Sequence, residues 1–210
     1  MDFSKMPRYA MVFVDVDTQA DFMLPGGRLY VPGAERLLPT LARLRDFAEQ
    51  HNIPVLTSTD AHPTDSQEFE HWPAHCVRGT PGQLKVPETL LRKYTIVPQE
   101  RRTLLTDEEL YRYRQWILEK DDLDLFTNPQ ADDLVRRLDA EQYVVYGVAT
   151  EYCVKLAVKG LLERKRPVTL LVDAIKEIKP EDGQAVLREL QAGGAKLAES
   201  REVLHVAVSA

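Results

Sequence analysis

The sequence predicts an α/β protein, a three-layer α/β/α sandwich built on a mostly parallel central sheet. Short apolar runs rich in Val, Ile and Phe alternate along the chain with amphipathic stretches of about 10 to 16 residues at helical spacing, the signature of βαβ units. Polar clusters follow the ends of three of these runs, where open parallel sheets collect their functional groups. At 210 residues the chain is expected to form a single domain over residues 1–210, large enough to bury a full core without disulfide or metal staples.

Taken in order, Ala10 to Val16 is nearly continuous in apolar residues and reads as a strand buried on both faces. A loop rich in Pro and Gly (Pro25, Gly26, Gly27, Pro32, Gly33) leads to a helix in which Leu37, Leu38, Leu41, Leu44, Phe47 and Ala48 recur at helical spacing up to Gln50. Ile53 to Thr57 is the second strand, and Ser58 to Gly82, with no apolar period, reads as a long functional loop. Tyr94 to Val97 reads as a strand and Asp107 to Leu118 as a charged helix. Asn128-Pro129 predicts an N-cap and first residue for a helix through Leu134, Val135 and Leu138. Gln142 to Val148 is the next strand, and Thr150 is expected to cap a helix carrying Val154, Ala157, Val158, Leu161 and Leu162. Val168 to Val172 as a strand, a helix after Pro180 with Leu187 and Leu190, and a last strand Val203 to Val208 complete the series.

Composition narrows the function. Hydrophobic residues at 44% and charged residues at 29% exclude a disordered chain. With a net charge of −6 and its 27 basic residues dispersed, the chain has no stripe able to track phosphates, which argues against a nucleic-acid partner. No apolar run approaches the roughly 18 residues of a membrane span, and the stretch Tyr9 to Val14 is stopped by Asp15 before any signal cleavage site. Two cysteines in unlike contexts, Cys76 and Cys153, suit a reducing compartment. A cytoplasmic protein acting on a small molecule is expected, with homo-oligomers open.

Three clusters carry the chemistry. The string VDVDTQADF places Asp15, Asp17, Gln19, Asp21 and Phe22 at the first strand's end, where a tuned carboxylate can serve as acid and base. Asp60 and His62 share one side of an extended segment, and Glu68 and His75 return to the same region, so the four could hold one zinc, iron or manganese ion. His71 is expected behind these donors or facing solvent. In GVATEYCV, Cys153 falls in the first turn of a helix, where free N–H groups and the helix dipole lower a thiol's pKa and can hold an oxyanion. Separately these read equally as a turn, a surface loop and a core thiol; at three strand ends together they read better as one site.

VDVDTQADF, STDAHP with WPAHC and GTPG, and GVATEYCV together resemble the cysteine hydrolases of the isochorismatase-like superfamily, and among them nicotinamidases, over Ala10 to Ala174. The resemblance implies an isochorismatase-like hydrolase fold with Asp17 as catalytic acid and base and Cys153 as nucleophile. It also implies an oxyanion hole from the N–H groups of Ala149 and Cys153, beside a cis Val148–Ala149 peptide. The catalytic lysine of the family falls on Lys120, although Asp121 follows it where nicotinamidases often have glycine; Lys93 is the other candidate. A divalent metal, zinc with iron and manganese as alternatives, is implied on Asp60, His62 and His75, with Glu68 as a further ligand. Phe22 and Trp72 match the aromatic residues that sandwich a pyridine ring. The activity so implied is hydrolysis of nicotinamide to nicotinic acid and ammonia through a thioester, a step of NAD salvage. The alternatives are a related hydrolase of another small amide or ureido compound and a non-catalytic binding protein. Cys153 argues against isochorismatases proper, which lack the nucleophile. Residues 85–118 do not align with the family pattern, and a lid and a subunit contact are both open to them.

Overall fold

A computed structural model describes residues 8–205. Seven parallel strands form one sheet: β1 (Val12–Val16), β2 (Val55–Asp60), β3 (Tyr94–Val97), β4 (Gln115–Lys120), β5 (Tyr143–Val148), β6 (Val168–Lys176) and β7 (Lys196–Ala198), in the order β3-β4-β2-β1-β5-β6-β7. The helices are α1 (Ala20–Met23), α2 (Leu38–His51), α3 (Asp107–Arg112), α4 (Ala131–Arg137), α5 (Lys155–Glu163), α6 (Pro180–Ala192) and α7 (Ser200–Leu204). Alternate β1 side chains point to opposite faces. Val12, Val14 and Val16 enter a core with α4, α5 and α6, whereas Met11 and Phe13 enter a second core with α2 and α7. The result is the expected three-layer α/β/α sandwich. No helix among the described residues is long and apolar enough to cross a membrane.

Several elements differ from the sequence reading. The helix expected to run to Leu118 ends at Arg112, and Gln115–Lys120 is instead β4, with Trp116, Ile117 and Leu118 buried between β2 and β3. A strand covered on both faces shows no alternation, so a short apolar run there is indistinguishable by period from a buried helix. β2 continues past Thr57 to Asp60, because Ser58, Thr59 and Asp60, though polar, are all buried. Asn128 makes a turn before α4 rather than capping it: its Oδ1 accepts from Gln130 N, and the N-cap is Gln130. Ala149, not Thr150, is the N-cap of the segment after β5, which begins with a π-type turn over Thr150–Val154 in which Tyr152 is non-helical. The last strand is Lys196–Ala198; Val203 and Leu204 lie in α7, whose first turn is held by Asp173 accepting from Ser200 N and Oγ. Residues 206–208 of the expected strand, and 1–7 of the N-terminal reading, lie outside the described residues.

The strand order reverses at β1, whose neighbours β2 and β5 begin the two halves, so a crevice opens beyond the carboxyl ends of β1, β2, β4 and β5. Gly147, next to last in β5, pairs with Val16 in that crevice wall with φ +123°, and a Cβ there would lie 2.0 Å from the Val16 carbonyl oxygen. Gly147→Ala is therefore expected to cost about 2 kcal/mol or more. In a chain this size the melting temperature should fall by about 4–8 °C, and an unshifted melting curve would contradict the packing described.

Candidate active site

Three strand ends converge on one buried ammonium. Asp17 directly follows β1 and turns the chain with φ +50°. β2 and β4 pair with Asp60 opposite Lys120. Lys120 Nζ lies 2.9 Å from Asp17 Oδ2, in direct contact with Asp60 Oδ1, and 3.8 Å from the Cys153 Sγ. Only 1% of Lys120 is exposed, so a long aliphatic stem crosses the core to put its charge among carboxylates. Ser58 Oγ donates to Asp17 Oδ1 at 2.6 Å, and the Cys153 thiol is an electrostatic neighbour of the same carboxylate. Lys93, the other candidate, is exposed on the approach to β3. The structure thus brings Asp17, Lys120 and Cys153 together and leaves Lys93 aside.

Burial raises Asp17 above the usual carboxylate range, Lys120 opposing and Asp60 reinforcing the shift. Burial also pushes the Cys153 thiol up, with Lys120 opposing and Asp17 reinforcing it. This corrects the expectation that the helix N-terminus would lower the thiol: desolvation beside two carboxylates outweighs the dipole. For Lys120, burial lowers the pKa, but the charges of Asp17 and Asp60 more than reverse it and the ammonium is retained. The shifts at Cys153 and Asp17 favour the neutral form of the thiol and weaken Asp17 as an acid. The Val148–Ala149 peptide is cis, and the Ala149 carbonyl accepts from Tyr152 N and Val154 N. Ala149 and Cys153 both line the slot in front of the thiol.

Beside this cluster stands a second one. The other Asp60 oxygen, Oδ2, is 3.6 Å from His62 Nε2 and 3.7 Å from His75 Nε2. Glu68 Oε2 and Oε1 lie 3.7 and 3.9 Å from the same two nitrogens. These separations approach the roughly 3.4 Å between donors that a four-coordinate ion with bonds of about 2.1 Å imposes. His62 Nε2 is buried with no hydrogen-bond partner, and a buried orphan acceptor among carboxylates is the mark of a ligand. His75 Nδ1 is 2.8 Å from the Pro73 carbonyl, which fixes the proton on Nδ1 and turns the Nε2 lone pair inward. Asp60, His62 and His75 form a group suited to a divalent metal, with the Glu68 carboxylate beside the two histidines. His71 is exposed, as expected.

The two clusters face a narrow apolar slot walled by Phe22, Val31, Trp72, Val148, Tyr152 and Ile178. Phe22 packs on His75 with ring centroids 5.4 Å apart, and Trp72 meets Tyr152 edge-on at 5.4 Å. Tyr152 was not singled out in the sequence, although its place directly before Cys153 could have pointed to it. The sequence also gave Asp60 only a metal role, missing that its second oxygen belongs to Lys120.

Comparison with known proteins agrees with this architecture. Residues 9–202 match the isochorismatase domain. The chain is 27% identical to the nicotinamidase of Escherichia coli over 91% of its length and 95% of the relative's, and 28% identical to that of Saccharomyces cerevisiae over 84% and 94%. The crystal structure of the pyrazinamidase of Pyrococcus horikoshii in complex with zinc superposes with a TM-score of 0.76 at 27% identity, covering 90% of this chain and 99% of that one. The chain belongs to the isochorismatase-like hydrolases and is an enzyme of that family.

Proposed function

We propose that this enzyme hydrolyses nicotinamide to nicotinic acid and ammonia through a thioester on Cys153. The observation that carries the reading is the shared Asp60 carboxylate, which sets a thiol–carboxylate–ammonium cluster and a four-donor metal group against one flat apolar slot. Nicotinamide presents a carboxamide to the first and a ring nitrogen to the second. The nicotinamidase relatives and the zinc-bound pyrazinamidase support the same choice.

In this reading Phe22 and Trp72 hold the ring, and Asp17 takes the thiol proton as Cys153 sulfur attacks the carboxamide carbon. The N–H groups of Ala149 and Cys153 receive the oxyanion. As the C–N bond breaks, Asp17 passes its proton to the leaving nitrogen and ammonia departs. Asp17 then takes a proton from water, whose oxygen attacks the thioester carbonyl. The C–S bond breaks, nicotinic acid leaves, and Asp17 returns the proton to the sulfur. Lys120 holds Asp17 in place and offsets its charge throughout. A zinc ion on Asp60, His62, His75 and Glu68 would supply a Lewis-acid contact that orients the pyridine nitrogen.

Cys153→Ala is expected to lower ammonia release from nicotinamide by at least about 10³-fold while zinc content persists; hydrolysis that survives would exclude the covalent route. Removing the metal by chelation should silence the enzyme and zinc add-back should restore it, whereas full turnover by metal-free protein would contradict the ring-orienting role. Asp17 must be ionised to accept the thiol proton, and its pKa is raised. Activity should therefore fall, as pH drops, through a limb lying above the ordinary carboxylate value of about 3.9. A kcat/KM profile flat down to that value would exclude Asp17 as the base.

A further inference from the structure

We propose that Gln19 and Asp21 are positioning residues that set the spacing of the metal donors, so that one short segment after β1 serves both the acid–base chemistry and the metal group. The inference rests on the metal reading given above.

β1 pairs with β2 as far as Val16 opposite Ser58, and the left-handed turn at Asp17 then carries the chain away. Asp60, last in β2, is thereby left with backbone N–H and C=O groups facing a missing neighbour, in the interior where unpaired backbone groups are costly. The Gln19 side chain replaces that neighbour. Its Oε1 accepts from Asp60 N at 2.7 Å and its Nε2 donates to Asp60 O at 2.8 Å, while Nε2 also donates to Gln83 O at 2.8 Å. Gln19 is fully buried, and its amide holds the backbone of the one residue whose carboxylate serves both clusters.

Two residues on, Asp21 does the same for the histidines. Its Oδ2 accepts from Cys76 N at 2.7 Å, directly after His75, and its Oδ1 accepts from Arg28 N at 2.9 Å. The Cys76 carbonyl in turn accepts from His62 N at 3.2 Å, and His62 O accepts from Arg78 N at 3.0 Å. Both imidazoles thus hang from one short parallel bridge, His62 with Val77, that is pinned at Cys76 by the Asp21 carboxylate. Gly82 packs so closely on that carboxylate that a Cβ would lie 2.1 Å from Oδ2. Neither Gln19 nor Asp21 touches the slot. Their action is confined to the backbone of the residues that do.

The test measures metal binding directly, by zinc competition against a chromophoric chelator and by the visible spectrum of the cobalt(II) form. Gln19→Leu and Asp21→Ala are each expected to weaken zinc binding by about 10–100-fold, and to change the cobalt bands at saturating metal. Leu44→Ala, in the α2 core and outside the slot lining, serves as a general stability control. It should keep the unaltered protein's zinc affinity and cobalt spectrum. If Gln19→Leu does not fold, as read by circular dichroism, Gln19→Glu decides: it keeps the acceptor for Asp60 N and loses both donors, and the same weakening is expected. Folded variants with unchanged affinity and unchanged cobalt bands overturn the inference alone, as does an equal loss in Leu44→Ala. Unaltered protein with no zinc affinity overturns the metal reading of the site, and this inference with it.

Discussion

The interaction on which the site depends is the contact of one buried ammonium, Lys120, with two carboxylates, Asp17 and Asp60. Taking three charges out of water is costly, and such an arrangement persists only when geometry and further hydrogen bonds compensate. Here the compensation comes from the sheet. The β2–β4 register brings Asp60 beside Lys120, the turn at Asp17 aims its carboxylate at the same nitrogen, and Ser58 occupies the remaining Asp17 oxygen. Removing one member of such a cluster typically costs about 3–5 kcal/mol, because the remaining charges are left buried without a partner. Stability and chemistry are therefore bound to the same three side chains.

β1 uses the device twice. Asp15, two residues before Asp17, pairs with the buried Lys85, whose Nζ donates to Asp15 Oδ2 and to Thr18 Oγ1, both at 2.7 Å. Burial lowers Lys85, with Asp15 and Asp17 opposing. Each carboxylate of VDVD thus has its own lysine, one drawn from the segment before β3 and one from the end of β4. The 85–118 stretch, for which a lid and a subunit contact were both open, supplies a buried counter-ion, the edge strand β3 and most of the inner strand β4.

The parts legible in the sequence were those with a local signal. Asp17, Asp60, His62, His75 and Cys153 stand in short strings at strand ends, and the structure brings all of them to one crevice. Lys120 was assigned through family resemblance, because the apolar run before it lacks a period that separates strand from helix; only the neighbours β2 and β3 make it a strand. The polar end of β2 was unreadable for the opposite reason: Ser58, Thr59 and Asp60 look like loop residues, yet all are buried, with Asp17 as partner for Ser58 and Lys120 for Asp60. The direction of the Cys153 shift was misjudged since a helix N-terminus is visible in sequence and desolvation is not. Gln19 and Asp21 were noticed as members of a polar string, but their work is done on the backbone of residues about 40 and 55 positions away, which no local pattern encodes.

In the proposed route the amide carbon is attacked by sulfur, and the acyl group stays on the protein after ammonia has gone. The most direct measurement is therefore product partitioning during nicotinamide turnover with hydroxylamine present, the products being separated by chromatography. Capture of the acyl group as nicotinohydroxamate at the expense of nicotinic acid, and its disappearance in Cys153→Ala, is the result predicted. Nicotinic acid as the sole product at every hydroxylamine concentration would contradict it.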